Sequence, residues 1–397
     1  MSAPGRRIRF GFSLALVATL FTLLVGFVHK SQCLLGDFNE RAFGGISCYT
    51  DLIPLYRGAG LAEGKIPYLE ARNEYPVGTG LFMWATSLPG RGEGDYFLTN
   101  AVALSGLAVL VAWILYWLVD RRALFFSLAP TLALGAFLNW DLLAVALATG
   151  ATFAFLSRRD RAAGVLLGLG AAAKAFPALL LVPFALQRLI EGERRSAIRM
   201  FGWAGASWAL LNAPFAALAT ERWSFVFPFS SERGPTPGTL WYVGCRALAG
   251  EGDCLAVGLV NGLSLALLTL GVTLVVIAVR RTEAPIWTLG LPLLALLLLT
   301  SKVYSPQYSL WLLPWFALVL PDLRVFILFQ AADVAVFFAE FAWIGAIASD
   351  PTSSIWSLGL AVLARAAALV AVVVAYVRRG PGELPAGATL AGRVVSA

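Results

Sequence analysis

Two lysines and a few carboxylates stand out in this chain, because each interrupts an otherwise apolar surrounding. Asp51 follows Cys48-Tyr49-Thr50 and precedes Leu-Ile-Pro-Leu-Tyr56. A carboxylate drawn out of water has a raised pKa and suits the work of a general base. An aspartate before a turn is also a common helix cap, and Asp51 and Asp141 both admit that reading. Lys174 and Lys302, two of four lysines, each end an apolar run. A cation at such depth costs about 2.5 to 3.5 kcal/mol unless it reaches water or an anion. A lipid phosphate would be a fitting partner, and snorkelling to headgroups is the competing account. Further polar groups gather in short clusters: Asp37 to Glu40, Tyr49-Thr50-Asp51, Glu74-Tyr75-Pro76, Asn139-Trp140-Asp141, Lys174-Ala-Phe-Pro177, and the run Ser301-Lys302-Val-Tyr304-Ser-Pro-Gln307-Tyr308. Glu74-Tyr75-Pro76 reads equally well as a loop anchor.

The elements that must hold these groups are membrane helices. Of 397 residues, 59% are hydrophobic and 13% charged, with a mean hydropathy of +0.77. One soluble core cannot hide that much apolar side chain, so soluble, disordered and fibrous classes are excluded. The net charge of +7 is spread as single, paired or triple basic residues between apolar runs, which points to membrane topology and away from a nucleic-acid partner. Apolar stretches suited to a bilayer of roughly 30 Å lie at 10–28, 97–119, 122–138, 141–156, 197–218, 256–279, 284–300, 306–320, 323–347 and 355–377. The stretch 162–190 would carry Lys174 mid-membrane as a single helix. Breaking it at Ala173 to Phe176 gives two short arms with Lys174 at the outer tip.

The expected fold is an all-α integral membrane protein, a polytopic bundle of about 12 transmembrane helices with both termini inside. The turns containing Arg6, Arg7, Arg9, Arg121, Arg122, Arg158, Arg159, Arg161, Arg194, Arg195, Arg280, Arg281, Glu283, Arg378, Arg379 and Arg393 then lie on one side and obey the positive-inside rule. Residues 1–379 are expected to form a single multi-spanning domain, and 380–397 a cytoplasmic tail. The first helix, 10–28, reads as an uncleaved anchor. Extracytoplasmic loops are expected at 29–96 and 219–255, the first with short interfacial helices and an apolar stretch at Leu81 to Leu88.

With this topology the polar clusters share the outer face. Chemistry on one face suits an extracytoplasmic enzyme, whereas a transporter should also line a path through the bilayer. Asp333 and Glu340 lie on one helix face, and Arg365 sits midway along the next helix. They read as a structural salt bridge or as an ion path. Cys33, Cys48, Cys245 and Cys254 all map outside, where even number and close spacing predict the disulfides Cys33–Cys48 and Cys245–Cys254 out of three possible pairings. A lone histidine, His29, supplies no zinc constellation, and the Gly164 to Gly170 run reads as helix packing.

Taken in order, Asp51-Leu-Ile-Pro-Leu-Tyr56, Gly64-Lys-Ile-Pro67-Tyr68, Glu74-Tyr75-Pro76, Asn139-Trp-Asp141, Lys174-Ala-Phe-Pro177 and Ser305-Pro306-Gln307-Tyr308 resemble the pattern of GT-C membrane glycosyltransferases. In particular they resemble glycosyltransferase family 87, the polyprenyl-phosphate-mannose-dependent alpha-mannosyltransferases of actinobacteria. The likeness runs from residue 1 to about residue 320, and it departs at Val77, where the family usually has a second proline. The resemblance implies a GT-C-like fold and an inverting transferase of the plasma membrane that needs no metal or other cofactor. It implies a polyprenyl-phosphate-linked sugar donor, a glycolipid or polysaccharide acceptor of the cell envelope, membrane lipids around it, and no nucleic acid. Asp51 matches the family's catalytic aspartate. A single base suffices for one displacement with inversion, in contrast to the two carboxyls of a retaining glycosidase.

Cations must meet the departing phosphate, and Lys174 is the first candidate, then Lys302, with Arg57 and Arg72 behind them. Tyr56, Glu74, Tyr75, Asn139, Asp141, Tyr304, Gln307 and Tyr308 complete the expected substrate-binding set. The alternatives are a flippase or transporter of lipid-linked saccharides and an inactive family member acting in envelope assembly.

Overall fold

Proline placement decides which apolar runs stay continuous helices. The computed structural model describes residues 4–90, 92–250, 254–280, 282 and 284–382. Arg281, Glu283, the side chains of Arg6, Arg7 and Arg9, and the expected tail from 383 onward, Arg393 included, lie outside the described residues. In chain order the elements that matter for the site are α1 (Pro4–Ser31), α2 (Leu52–Gly58), α3 (Val77–Ser87), α4 (Glu93–Val119), α5 (Pro130–Gly135), α6 (Asp141–Leu156), α7 (Asp160–Ala173), α8 (Phe176–Ile190), α9 (Arg194–Leu218), α10 (Val226–Glu232), α11 (Val257–Val279), α12 (Gly290–Thr300), α13 (Leu323–Ser349) and α14 (Trp356–Arg379). No β-strand occurs among the described residues, only an isolated bridge between Pro67 and Ala71. The protein is an all-α membrane bundle. By length and apolar composition, five helices among the described residues can cross a membrane: Phe12–Leu34, Glu93–Ser127, Val257–Val279, Leu323–Ser349 and Trp356–Arg379.

Of the other expected crossings, 197–218 lies within the continuous helix α9, and the rest are shorter or broken. Segment 122–138 is interrupted before α5, whose first turn takes Pro130 after an extended Ala129. Segment 306–320 becomes a 3₁₀ turn at Pro306–Leu312 and a short helix at Leu313–Leu318 with Pro314 in its first turn. Proline lacks the N–H that a continuing helix requires and clashes with the preceding turn. Leu310, Leu312, Leu313, Phe316 and Ala317 are fully buried in the protein. Their apolar composition therefore reflects a protein core, and composition alone reads such a run as a lipid-facing span. By contrast α11 exposes most of its leucines.

The stretch 162–190 is broken where Lys174 stands. Lys174 is extended (φ −154°, ψ 147°) between α7 and α8, and Pro177 occupies the first turn of α8. Gly164 and Gly168 let α7 approach α9 closely: a Cβ on either would strike the backbone carbonyl of Met200 or Ala204. Small residues permit this approach between membrane helices.

The chain between α1 and α4 holds short helices. Among them α3 buries Val77, Thr79, Gly80 and Met83 against the bundle. Cys33 is bonded to Cys48 and Cys245 to Cys254, across separations of 15 and 9 residues. Each closed loop restricts the unfolded chain by roughly 3 kcal/mol in the entropy model. Peptide mapping without reductant should recover these two bonded pairs; four free thiols, or pairing between the two loops, would contradict the structure.

Candidate active site

A cavity of about 460 Å³ opens where α2, α8, α10, α12 and the 301–311 arm meet. Two carboxylates, Asp51 and Glu74, and three cations, Lys174, Arg233 and Lys302, line it together with Tyr75, Gln307, Tyr308 and Trp311.

Asp51 sits at the start of α2, but its side chain makes no capping bond. Instead the backbone is pinned, and the carboxylate is left to face the cavity. The Asp51 N–H donates to the Leu138 carbonyl at 2.8 Å, and the Thr50 hydroxyl donates to Phe137 O at 2.7 Å. Asn139 Nδ2 then donates to Asp51 Oδ2 at 2.6 Å and to the Tyr75 hydroxyl at 2.6 Å. Removal from water pushes the Asp51 carboxyl above the ordinary aspartate range, against the opposing donors Asn139 and Tyr49 and the charge of Lys174. Glu74 is raised as well, by burial and by Asp51 beside it. Desolvation outweighs the nearby cations at both groups, which is the setting a base requires.

Tyr75 is held by its neighbours in sequence and in space. Its N–H donates to Asn73 Oδ1 at 2.8 Å, its carbonyl accepts from the Tyr68 hydroxyl at 2.7 Å, and its ring meets Trp140 edge-on at 5.6 Å. The Thr79 hydroxyl donates to Ala173 O at 2.7 Å, fastening α3 to the residue before Lys174.

Lys174 donates to Asp141 Oδ2 at 3.1 Å, with the rings of Tyr75 and Tyr308 5.0 and 4.7 Å from its ammonium. Burial alone would lower this lysine, but Asp141, Tyr308 and Asp51 outweigh it and hold it above its usual value. It is therefore a charged ammonium with donors to spare. The Asp141 side chain is wholly buried and does not cap α6. Its other oxygen accepts from Trp311 Nε1 at 2.7 Å, and Trp311 is stacked between Phe176 and Tyr308 at 4.4 and 4.3 Å. Asp141 thus supports both Lys174 and the aromatic wall. Lys302 donates to Ser231 O at 2.8 Å; burial and the neighbouring Arg233 lower its ammonium.

Of the residues singled out in the sequence, Asp51, Glu74, Tyr75, Lys174, Lys302, Gln307 and Tyr308 line the cavity, and Asn139 and Asp141 stand directly behind it. Tyr56, Arg57, Arg72 and Tyr304 do not line it. Tyr56 stacks on Tyr96 of α4 at 4.5 Å, and Arg57 pairs with Glu93 on the exposed surface. Arg72 pairs with Glu221, also at the surface. Tyr304 is buried against Arg365. Nearness in sequence to Asp51 and Glu74 suggested Tyr56, Arg57 and Arg72, and nearness to Lys302 suggested Tyr304, but α2 turns Tyr56 and Arg57 toward α4. Sequence reasoning missed Arg233. Its only signal is position, in the Gly- and Pro-rich stretch Arg233-Gly-Pro-Thr-Pro-Gly238 of the second long loop. Among the described residues, no group of three or more His, Cys, Asp or Glu is placed to hold a metal.

The model of glycosyltransferase family 87 matches residues 74–306, more than half of the chain. The chain belongs to glycosyltransferase family 87. The match takes in Glu74, Tyr75, Lys174, Arg233 and Lys302 of the cavity, while Asp51 precedes it. No curated protein matches this family 87 chain. Among solved structures it is similar to ArnT from Cupriavidus metallidurans bound to undecaprenyl phosphate, with 12% identity, a TM-score of 0.46, and coverage of 93% of this chain and 78% of that one.

Proposed function

We propose that this family 87 member is an inverting glycosyltransferase that moves a sugar, mannose in our reading, from a polyprenyl-phosphate donor to a glycolipid or polysaccharide of the cell envelope. Asp51 takes the proton of the acceptor hydroxyl as that oxygen attacks the anomeric carbon. The bond from that carbon to the phosphate oxygen breaks on the opposite face, and polyprenyl monophosphate departs. Lys174, Lys302 and Arg233 receive the negative charge that gathers on the phosphate. The observation that carries this reading is the pairing of a desolvated carboxylate with three cations in one cavity that lies beside an apolar groove. The groove, about 170 Å³, lies between α8, α11 and α12 and shares Leu179 with the cavity; Val182, Leu186, Val272 and Leu296 are among its walls. A phosphate in the cavity would leave its prenyl chain beside that apolar surface.

The direct test supplies purified protein with a synthetic prenyl-phosphate mannose and an envelope extract. Prenyl monophosphate should appear only when protein, donor and acceptor are all present. Release that ignores the acceptor, or none with any sugar offered, would defeat the proposal. A flippase would instead move lipid-linked saccharide across a vesicle with the glycosidic bond intact.

The outer-face assignment has its own check. A cysteine replacing Ala175, which lines the cavity, should react in whole cells with an impermeant thiol reagent. One replacing Arg194, at the far end of α8 and α9, should react only after permeabilisation. The reverse pattern would place the cavity on the cytoplasmic side.

A further inference from the structure

A buried ionic cluster of the bundle lies outside the cavity lining. Arg365 of α14 is 1% exposed, and Asp333 and Glu340 of α13 are each 5% exposed. Arg365 Nη1 donates to Asp333 Oδ1 at 3.3 Å, its Nη2 donates to Gly238 O at 2.6 Å, and its guanidinium lies 3.6 Å from the centre of the Tyr304 ring. Asp333 is further satisfied by the hydroxyls of Ser309 and Thr131 at 2.6 and 2.9 Å, and Ser309 also bonds the Tyr304 hydroxyl at 2.8 Å. One guanidinium therefore joins two membrane helices to two separate loops.

Those loops carry two of the three cavity cations. The 233–239 loop begins at Arg233, and the 301–308 arm holds Lys302. They are also bonded to each other, Thr236 N–H to Lys302 O at 2.9 Å and Tyr304 N–H to Thr236 Oγ1 at 3.0 Å. Gly238 leaves no slack at the junction, since a Cβ there would lie 2.6 Å from Glu340 Oε2 and 2.9 Å from Tyr304 O.

We propose that Arg365 is a positioning residue: by clamping the Gly238 loop and the Tyr304 arm onto α13 and α14, it holds Arg233 and Lys302 in register for the phosphate of the donor. This rests on reading the cavity as the phosphate site. A buried charge pair need not add stability over an apolar substitute, so a purpose in geometry accounts for its presence better than one in stability. A cation displaced by about 1 Å in a site of this kind can reduce the rate by as much as 10²-fold.

Two variants disturb the clamp from opposite sides. Arg365→Lys keeps a charge for Asp333 but cannot also reach Gly238 O or lie flat on Tyr304. Gly238→Ala wedges the loop away from Glu340. Leu363→Ala, on the lipid-facing side of α14, serves as control. Both clamp variants should raise the KM for prenyl-phosphate sugar and lower kcat/KM by up to about 10²-fold, with the KM for acceptor unchanged. Amide hydrogen exchange should quicken in 233–239 and 301–305 while thermal melts stay near that of the control. An unchanged donor KM, or activity lost only in step with melting, would overturn the proposal, as would unaltered exchange in the two loops. If the unmodified protein releases no prenyl phosphate, the reading of the cavity fails, and the exchange result alone then decides whether the clamp exists.

Discussion

Asp51→Asn should lower transfer by about 10² to 10⁴ and leave the protein as stable as before or more so. Asparagine keeps the shape and can still meet the acceptor hydroxyl and Asn139, but it cannot accept a proton. The stability expectation follows from the raised carboxyl of Asp51. A group whose pKa is higher in the folded state binds its proton more tightly there. That contribution to stability is present below the unfolded pKa and is lost as pH rises through the folded one. At neutral pH the ionised form is the costly one, and Asn removes that cost. Activity of the unmodified protein should likewise fall on the acid side at a pH above the ordinary aspartate range, because the base is lost once protonated. Purified forms compared by thermal melt and by prenyl monophosphate release would test this. An Asn variant with more than about a tenth of the activity would exclude Asp51 as the base and move attention to Glu74, the other carboxylate lining the cavity.

Lys174→Met should be the most damaging single change to stability. It strands the wholly buried carboxylate of Asp141 with Trp311 as its remaining donor, and breaking a buried pair in this way costs about 3 to 5 kcal/mol. Adding Asp141→Asn removes the unpaired charge, since the amide oxygen can still accept from Trp311, and most of the melting temperature should return. Activity should not return with it: without the ammonium, the departing phosphate lacks a donor worth about 10² to 10³ in rate. A double variant that regained transfer along with stability would show Lys174 to be structural alone.

Burial of charge made the centre of this site legible. An ammonium in the middle of 162–190 forces a helix break, and the break stands at Lys174. Asp51 was legible for the same reason, as a carboxylate set among apolar residues. Asp141 was legible as polar but not in its task, because its capping alternative is excluded only by Trp311, 170 residues away. Arg233 carried no distinguishing signal, since a lone arginine in a loop looks like any solvated charge; it reaches the cavity through the end of α10 and the Thr236 bonds to the 301–308 arm. Arg57 and Arg72 show the opposite case, suggested by proximity in sequence and placed off the cavity by local helix geometry and surface pairing. Segment 306–320 marks a limit of hydropathy itself, which cannot tell burial in lipid from burial in protein.

The bond between Lys174 and Asp141 spans only 33 residues and joins the two ends of the α6–α7 hairpin. During synthesis the partners emerge within moments of each other, long before Trp311 has been made. The hairpin can therefore meet the translocon with the ammonium and carboxylate at this end already joined. Two charges that would each be expelled if presented singly can travel together, and the order in which the ribosome delivers them matches the order in which the membrane can accept them.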